Sequence, residues 1–361
     1  MRDTDPHIFI YDRCGIDRLR ARLRIDPHDL RRVRTALFKH WQTGTEAFAA
    51  SSQRSKSPAS TDLAAHVRIH ALRLHDRLDS QIDGATKLLF RTEQDLLLET
   101  VLLRAGTGRT TLCLSSQVGC AAACDFCATG KMGIARNLTA EEILDQVLQA
   151  GQLAASRRQR LRNLVFMGMG EPLHNEEHLH KALRILTHPD FFHHSPGRIL
   201  ISTVGIPAAM RRCAIRFPRV NQALSLHSVR QAVRERIIPL ARRYPLDRLR
   251  RTVRELNELQ ASSGVDTVML EYLLLRGVND SAGDARELIA WCRGLRVHIN
   301  LIPFNPIADA PHLKGTDRTG REAFAAILKQ AGLKTTIRYS LGSDIAAACG
   351  QLVRKENARG S

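Results

Sequence analysis

The chain contains 361 residues, of which 43% are hydrophobic, so it is long enough for two domains and can bury a sizeable core. This composition excludes a wholly disordered protein. Lys and Arg number 54 against 36 Asp and Glu, and the resulting formal net charge of +18 indicates a polyanionic partner.

The sequence carries no signal for a membrane or for export. It has no apolar run of about 18 residues, so no membrane-spanning helix is predicted. The N-terminal residues MRDTDPHIFIYDRCG contain neither an apolar stretch nor a small-residue cleavage site, so no signal peptide is expected. Three of the eight cysteines crowd together, which is typical of a metal site rather than of a disulfide framework. We expect a cytoplasmic protein.

Residues 1–85 are predicted to form a small helical accessory domain. Apolar residues recur at helical spacing up to residue 48. The segment 49–62, which is rich in Ser and Ala, predicts a flexible loop or linker, and residues 63–81 return to a basic amphipathic helical pattern. Two β-type runs, at 87–92 and 96–104, predict a hairpin within the connecting segment 86–110.

Residues 111–352 are predicted to form an α/β core, followed by a basic tail at 353–361. Seven apolar β-type runs alternate there with helical patterns; the runs are 111–117, 163–168, 198–205, 223–227, 268–275, 297–304 and 335–340. Repeated βα units imply a parallel sheet covered by helices, either a barrel or an open doubly wound sheet. In both folds the functional residues lie at the carboxyl ends of the strands.

Three cysteines, Cys120, Cys124 and Cys127, lie in a loop directly after the first of these runs. Thiolates in a tight loop can bind one face of an iron–sulfur cube and leave one iron without a protein ligand. The alternative is structural zinc, which normally takes four protein ligands. Cys213 or Cys292 would have to supply the fourth from an apolar helical context. We therefore predict an iron–sulfur cluster.

The segment after the cysteine loop predicts a capped helix. Thr139 suits the N-cap position, and Glu142 completes a capping box. Gly151 is expected to end this helix. The cysteine loop is thus expected to lie between a strand and a stable helix.

The cysteine loop, with Phe126 before its last cysteine, resembles the signature of the radical S-adenosylmethionine (SAM) superfamily. The resemblance implies a partial (β/α) barrel and a 4Fe-4S cluster whose open iron binds SAM. It also implies that SAM is cleaved to methionine and a 5′-deoxyadenosyl radical. The next strand ends in GMGEP, which resembles the motif that holds the SAM amino group in this superfamily. There Gly170 permits close approach of the backbone, and Glu171 can accept from an ammonium group.

The residues that follow, His174 to His178, match the H-x-x-E-H pattern of inverted zinc metalloproteases. That pattern would have to lie inside one long helix. Pro172 and Asn175 instead predict a loop and a helix start. We therefore expect the two histidines to lie on a solvated face.

Six motifs follow one another in order over roughly residues 95–352: the three-cysteine loop with CLSSQVGC, then GMGEPLHN, ISTVG, LSLH, NLIPFNP and GSDIAAACGQL. Together they resemble the RlmN/Cfr family of radical SAM adenosine methyltransferases, which act on 23S ribosomal RNA. The resemblance implies methylation of a carbon atom of adenine. It also implies two SAM molecules per turnover and an external electron donor such as flavodoxin.

The resemblance assigns catalytic roles to three residues. Cys349 corresponds to the cysteine that first accepts a methyl group from SAM, and Cys113 to the cysteine that resolves the covalent protein–RNA intermediate through a Cys113–Cys349 disulfide. A thiolate is nucleophilic enough for both steps. Glu99 corresponds to a proposed proton acceptor near the substrate carbon. The residues that match SAM contacts of the family are Gly170, Glu171, Ser202, Ser225, Leu226, His227 and Asn305.

Arginine-rich surfaces are predicted to contact the RNA, along with the N-terminal domain. One run comprises Arg157, Arg158, Arg160 and Arg162, and a second set, Arg248, Arg251 and Arg254, would share one helix face. Val118 and Pro172 favour the branch of the family that methylates carbon 2. Carbon 8 and transfer RNA remain alternatives, as does a zinc-containing RNA-binding protein. A methylthiotransferase would need a second cluster, for which the chain lacks cysteines. We expect a monomer.

Overall fold

The computed structural model describes residues 8–54, 59–265 and 267–352. The strands are β1 (Ile8–Phe9), β2 (Val67–Arg68), β3 (Arg73–Asp79), β4 (Thr86–Arg91), β5 (Leu97–Arg104), β6 (Thr110–Cys113), β7 (Gln117–Gly119), β8 (Ile134–Asn137), β9 (Leu161–Phe166), β10 (Ile199–Thr203), β11 (Asn221–Ser225), β12 (Val268–Leu274), β13 (Val297–Pro303) and β14 (Thr335–Ile337). The α-helices are α1 (Arg13–Arg22), α2 (Pro27–Phe38), α3 (Gly44–Arg54), α4 (Ala59–His66), α5 (Ala128–Lys131), α6 (Ala140–Ser156), α7 (Glu176–Thr187), α8 (Pro207–Arg216), α9 (Gln231–Ile237), α10 (Leu246–Gln260), α11 (Ala282–Cys292) and α12 (Arg318–Gln330).

One large sheet organises the molecule, with the strand order β14-β13-β12-β11-β10-β9-β6-β5-β4-β3. All neighbours from β6 to β14 pair in parallel, whereas β3, β4, β5 and β6 pair antiparallel. The parallel strands follow one another in chain order without the reversal that defines a doubly wound sheet. The fold is therefore a partial (β/α) barrel. It is open because β14 is an edge strand and β6 pairs with β5 instead.

The predicted core strands are confirmed: each of the seven β-type runs overlaps a strand of the parallel part. The predicted hairpin is also confirmed, because β4 and β5 pair antiparallel from Thr86↔Leu102 to Arg91↔Leu97. Among the described residues, no helix is both long and apolar enough to cross a membrane. The basic tail 353–361 lies outside the described residues.

Two predictions for the N-terminal region are wrong. The loop predicted at 49–62 is helical over most of its length, in α3 and α4, and residues 55–58 lie outside the described residues. The helix predicted at 63–81 stops at His66, and β3 follows as an edge strand paired with β4. The side chains of β3 are almost all exposed, so backbone pairing with the buried β4 outweighs the amphipathic pattern. The large sheet thus begins before the domain boundary expected near residue 85.

The helix after the cysteine loop connects the barrel to the N-terminal region. Its capping box forms as predicted, with the Thr139 side chain accepting from Glu142 N and the Glu142 carboxylate accepting from Thr139 N. The buried Asp145 carboxylate accepts from the backbone nitrogens of Ala71 and Leu72, both at 2.8 Å. These bonds hold the start of the sheet edge against α6.

Gly151 does not end this helix, which continues to Ser156. A Cβ atom at Gly151 would lie 2.2 Å from ring atoms of Trp41. Glycine is therefore needed here because the indole of the N-terminal region packs directly on the helix backbone. The prediction mistook a packing glycine for a helix terminator.

We predict that Gly151→Ala lowers the free energy of unfolding, although alanine is favoured over glycine in a helix by about 1 kcal/mol. Overpacking against Trp41 costs about 1–3 kcal/mol and outweighs that gain. Gly283→Ala in α11 is the matched control, since its Cβ would approach only Ser281 Oγ, at 3.4 Å. Urea denaturation of both variants measures the difference. Equal stability of the two variants would contradict the packing role of Gly151.

Candidate functional site

A cavity lies at the carboxyl ends of the parallel strands, enclosed by the cysteine loop and by the C-terminal segment. It brings together the three loop cysteines and most residues that the sequence assigned to cofactor binding; its walls include Cys120, Cys124, Cys127, Gly170, Glu171, Ser202, Ser225, His227, Asn305 and Cys349. Leu226 is the exception. Its side chain is fully buried in the core, and its backbone nitrogen donates to the carbonyl of Glu271.

Local hydrogen bonds shape the cysteine loop. Cys120 N donates to the Gly133 carbonyl at 2.7 Å, and Cys127 is the N-cap of the short helix α5. Burial raises the pKa of the Cys120 thiol to about 12, and it raises the pKa values of Cys124 and Cys127 as well. A cationic group in the cavity would therefore have to displace these protons when it binds the sulfurs.

The described residues show no preformed ligand set for a single metal ion: no group of three or more His, Cys, Asp or Glu side chains there is placed to hold one. The metalloprotease alternative fails. His174 lies in the short 3-10 turn Pro172–Asn175 and His178 in α7, so the pattern is split between two elements.

Glu171 is fixed rigidly in the cavity wall. Its two carboxylate oxygens accept from Leu173 N at 3.0 Å and from Val204 N at 2.8 Å. Burial raises the pKa of Glu171 to about 7, although these two bonds lower it. Next to it, Gly170 has φ of +100°, and a Cβ there would lie 2.6 Å from Gln117 Cβ. Glycine is thus required for the strand end to pass this close to Gln117.

Glu271 is a functional candidate that the sequence analysis missed. It is 3% exposed and lines the cavity from β12. Its Oε2 accepts from Ser202 Oγ at 2.9 Å and from Ser225 Oγ at 3.5 Å, so it orients two of the predicted SAM contacts. Its Oε1 has no hydrogen-bond partner within the described residues. A buried carboxylate oxygen without a donor suits a ligand that carries hydroxyl groups.

His227 has a structural role beside this group. Its Nδ1 accepts from Leu273 N at 3.0 Å, and its ring meets that of Phe126 edge-on at 4.8 Å. Burial and the neighbouring Arg234 lower the pKa of His227 to about 3, so the ring is neutral at physiological pH. The histidine thereby links the cysteine loop to strand β12 without adding a charge.

The two remaining candidate cysteines meet in a second cavity. Cys113, at the end of β6, and Cys349, in the C-terminal segment, both line it, and Cys349 also lines the cofactor cavity. Asn305 Nδ2 donates to the Cys349 carbonyl at 2.9 Å and so fixes this segment. Both residues are free thiols, and the disulfide implied by the resemblance is not formed. Leu103 on β5 and Arg338 beyond β14 complete the walls, so the cavity spans the open side of the barrel.

The environment of the two thiols disfavours their thiolate forms. Desolvation raises the pKa of Cys113, which is half-buried, to about 12, and that of Cys349 to about 11, although Cys349 as a residue is exposed. Arg338 is the neighbouring cation that opposes both shifts. Its guanidinium lies 3.3 Å from Met167 Sδ, inside the same cavity. Arg338 was also missed by the sequence analysis, because no local motif marks it.

Glu99 lines neither cavity. It is buried in β5, and its Oε1 lies 3.6 Å from Lys87 Nζ. Lys87 Nζ also donates to the Ala346 carbonyl at 3.2 Å. The pair therefore supports the segment that carries Cys349 from behind.

The predicted arginine surfaces are formed only in part. Arg248, Arg251 and Arg254 lie on the helix α10 and are all exposed, as expected. In the other run, Arg157 Nη2 contacts Asp79 Oδ1 at 2.8 Å and Nη1 donates to Thr86 Oγ1. Arg157 is thus hydrogen-bonded to the β3–β4 hairpin, whereas Arg158, Arg160 and Arg162 are exposed.

Comparison with known proteins identifies the family. The model of the radical SAM superfamily matches residues 114–289. A probable RNA methyltransferase of Rhodopirellula baltica is 54% identical over 99% of this chain and 90% of its own length. The probable dual-specificity RNA methyltransferase RlmN of Thermus thermophilus is 42% identical over 89% of each chain. The crystal structure of a radical SAM methyltransferase from Sphaerobacter thermophilus has a TM-score of 0.87 and 36% identity, and it covers 96% of this chain and 99% of that one.

The open barrel and the three-cysteine loop thus define a radical SAM enzyme. The chain belongs to the RlmN/Cfr-like family of radical SAM RNA methyltransferases. It is a SAM-dependent RNA methyltransferase whose cofactors are a 4Fe-4S cluster and SAM, and its substrate is RNA.

We predict that Glu271→Gln weakens SAM binding without destabilising the protein. An amide cannot accept from the serines and the ligand together, so we expect the SAM dissociation constant to rise about tenfold. Burial raises the pKa of Glu271, so its ionised form lowers stability as the pH rises above the usual glutamate range. At pH 8 the neutral Gln should therefore leave the melting temperature unchanged or raised.

Equilibrium dialysis of the cluster-loaded protein against SAM and differential scanning calorimetry measure the two effects. Ser262→Ala, at an exposed position of a surface turn outside the cavity, is the control and should change neither quantity. A lower melting temperature with unchanged SAM affinity would contradict the assignment of Glu271 to the cofactor site.

Proposed function

We propose that this protein methylates carbon 2 of an adenosine in 23S ribosomal RNA through a methyl group carried by Cys349. The observation that supports this most directly is the position of Cys349, which lines both the cofactor cavity and the cavity that contains Cys113. A cysteine in this position can receive a group from SAM on one side and be attacked by a second thiol on the other.

Cys120, Cys124 and Cys127 would hold the cluster. The donor set fits because three free thiols, two of them buried and one half-buried, line the cavity that also contains the predicted SAM contacts. When bound and reduced, the cluster supplies the electron that cleaves SAM to a 5′-deoxyadenosyl radical. Glu171 would accept from the SAM amino group. Ser202, Ser225, His227 and Asn305 would position the rest of the molecule, together with the backbone at Gly170 and Leu226.

Two thiols carry out the transfer in this proposal. The Cys349 thiolate would take a methyl group from one SAM by displacement. That methyl group would then lose a hydrogen atom to the radical derived from the second SAM, and the methylene radical so formed would add to the adenine carbon. The adenine carbon would then lose its proton to a base and one electron back to the cluster, which leaves a closed-shell thioether adduct. The Cys113 thiolate would attack the Cys349 sulfur, which releases the methylated adenine and leaves a disulfide. An external electron donor such as flavodoxin would provide the electron for each cleavage.

The family resemblance implies that Glu99 would accept the proton of the adenine carbon, although Glu99 lines neither cavity. Its contact with Lys87, which donates to the Ala346 carbonyl, supports an additional role in positioning Cys349. The enzyme would act as a monomer, with the exposed arginines of α10 and Arg158, Arg160 and Arg162 on its RNA-facing surface. Val118 and Pro172 favour carbon 2 over carbon 8.

The decisive experiment is nucleoside mass spectrometry after anaerobic reaction of the cluster-loaded protein with SAM, a reductant and unmodified 23S ribosomal RNA. We expect 2-methyladenosine with the wild-type protein and none with Cys349→Ala. Formation of 8-methyladenosine would overturn the carbon 2 assignment. Methylation of transfer RNA alone, tested in parallel, would overturn the ribosomal substrate.

We predict that Cys113→Ala traps a covalent protein–RNA adduct, because no second thiol remains to release it. Denaturing gel electrophoresis after the reaction should show a band that ribonuclease digestion removes. Cys292→Ala is the matched control, since Cys292 is a buried cysteine on α11 outside both cavities, and it should form no stable adduct. Multiple turnover by adduct-free Cys113→Ala would contradict the role of Cys113.

A further inference from the structure

We propose that Tyr339 is a stacking platform for the RNA base next to the adenosine that enters the Cys113–Cys349 cavity. The inference rests on the proposed function and extends it to a binding site for a second nucleobase. It is carried by three observations: the exposure of Tyr339, its place on the cavity wall, and the hydrogen-bonded strand end that directly precedes it.

Tyr339 is exposed to an unusual degree for an aromatic residue. Its relative exposure is 80%, the highest of the large apolar side chains in the described ranges of the chain. An aromatic ring that packs against nothing contributes little to folding. A free ring face is, however, what a nucleobase needs in order to stack, and such stacking tolerates any base.

The ring stands beside the reactive thiols. Tyr339 lines the same cavity as Cys113 and Cys349, at the side where the barrel is open. An RNA chain can reach this side without passing through the closed part of the sheet.

The backbone under Tyr339 is held in place. Strand β14 ends at Ile337, and Arg338 N still donates to the Leu301 carbonyl at 2.8 Å. The Arg338 side chain points into the cavity, where it contacts Met167 Sδ. Tyr339 follows directly, so its ring stands one residue beyond the last backbone hydrogen bond of this strand end.

Base extrusion explains why such a ring is useful. A target adenine must leave its stack to bring a ring carbon to Cys349, and the base beside it then loses a stacking partner. The target base itself has to lie inside the cavity, in contact with the thiols. The strongly exposed Tyr339 is therefore placed for the neighbouring base, whose lost stacking it would replace.

The test compares Tyr339→Ala and Tyr339→Phe in cluster-loaded, full-length protein. Fluorescence anisotropy without reductant measures the dissociation constant of a labelled RNA hairpin that contains the target adenosine. We expect Tyr339→Ala to weaken binding about 5- to 100-fold, in line with the loss of one base stack, and Tyr339→Phe to bind like the wild type. Ile215→Ala removes another exposed apolar side chain, from α8, and should have no effect.

Abasic RNA identifies the base that stacks. Removing the base that stacks on Tyr339 should weaken RNA binding to the wild type. It should not weaken RNA binding to Tyr339→Ala any further. The inference is overturned if the loss of binding free energy caused by Tyr339→Ala and the loss caused by the abasic RNA simply add up at both neighbouring positions. It is also overturned if the two losses fail to add up only when the target base itself is removed.

SAM cleavage and RNA methylation by the wild type separate this inference from the proposed function. If the wild type methylates ribosomal RNA while Tyr339→Ala binds it within about twofold of the wild type, only the stacking role fails. If the wild type cleaves SAM but neither binds nor methylates this RNA, the proposed function itself fails.

Discussion

The docking of the C-terminal segment onto the cysteine loop is the contact on which the rest of the site depends. Ala128 N donates to the Gly350 carbonyl at 2.7 Å, and Thr129 Oγ1 donates to the Leu352 carbonyl, 223 residues further along the chain. Asn305 holds the Cys349 carbonyl from the opposite side. Because these bonds are made to backbone oxygens, they place the segment largely independently of its own side chains. Cys349 can then be replaced by another residue while the cofactor cavity keeps its wall.

Because the barrel is open, the docked C-terminal segment also borders a second cavity. In a closed barrel β14 would pair with β6, the first parallel strand. Here β6 pairs with β5 instead, and β14 is an edge strand of the sheet. The second cavity forms across this opening, between Leu103 and Cys113 on one side and Arg338 on the other. A small cofactor is thus enclosed at the strand ends, while a macromolecule can approach the thiols from the open side. The hairpin also brings Lys87 and Glu99 behind the Cys349 segment.

A second property of the site is that several of its thiols and carboxyl groups are desolvated without enough polar partners to offset the loss of water. The thiols of Cys113 and Cys120 have pKa values raised mainly by desolvation. The carboxyl groups of Glu171 and Glu271 are affected in the same way. A folded core does not need such groups, and it is made less stable by them. Cationic or hydrogen-bonding ligands that bind these groups during the reaction would offset this loss of stability.

The sequence by itself determined those features that depend on neighbours in the chain. The spacing of Cys120, Cys124 and Cys127, the capping box at Thr139 and the alternation of strands and helices are local patterns, and all reappear in the structure. The choice between a barrel and a doubly wound sheet could not be made locally, because both consist of the same βα units and differ only in strand order.

The tertiary structure alone decided the positions that depend on distant contacts. Residues 73–79 became a strand because β4 offered a buried partner, and Gly151 lies within a helix because Trp41 packs on it. Glu271 stands in an otherwise apolar strand, and its importance follows only from the two serines that donate to it across the sheet. Arg338 and Tyr339 carry no motif. Their relation to Cys113 and Cys349 exists only because an open barrel brings its last strand and its first together around one cavity.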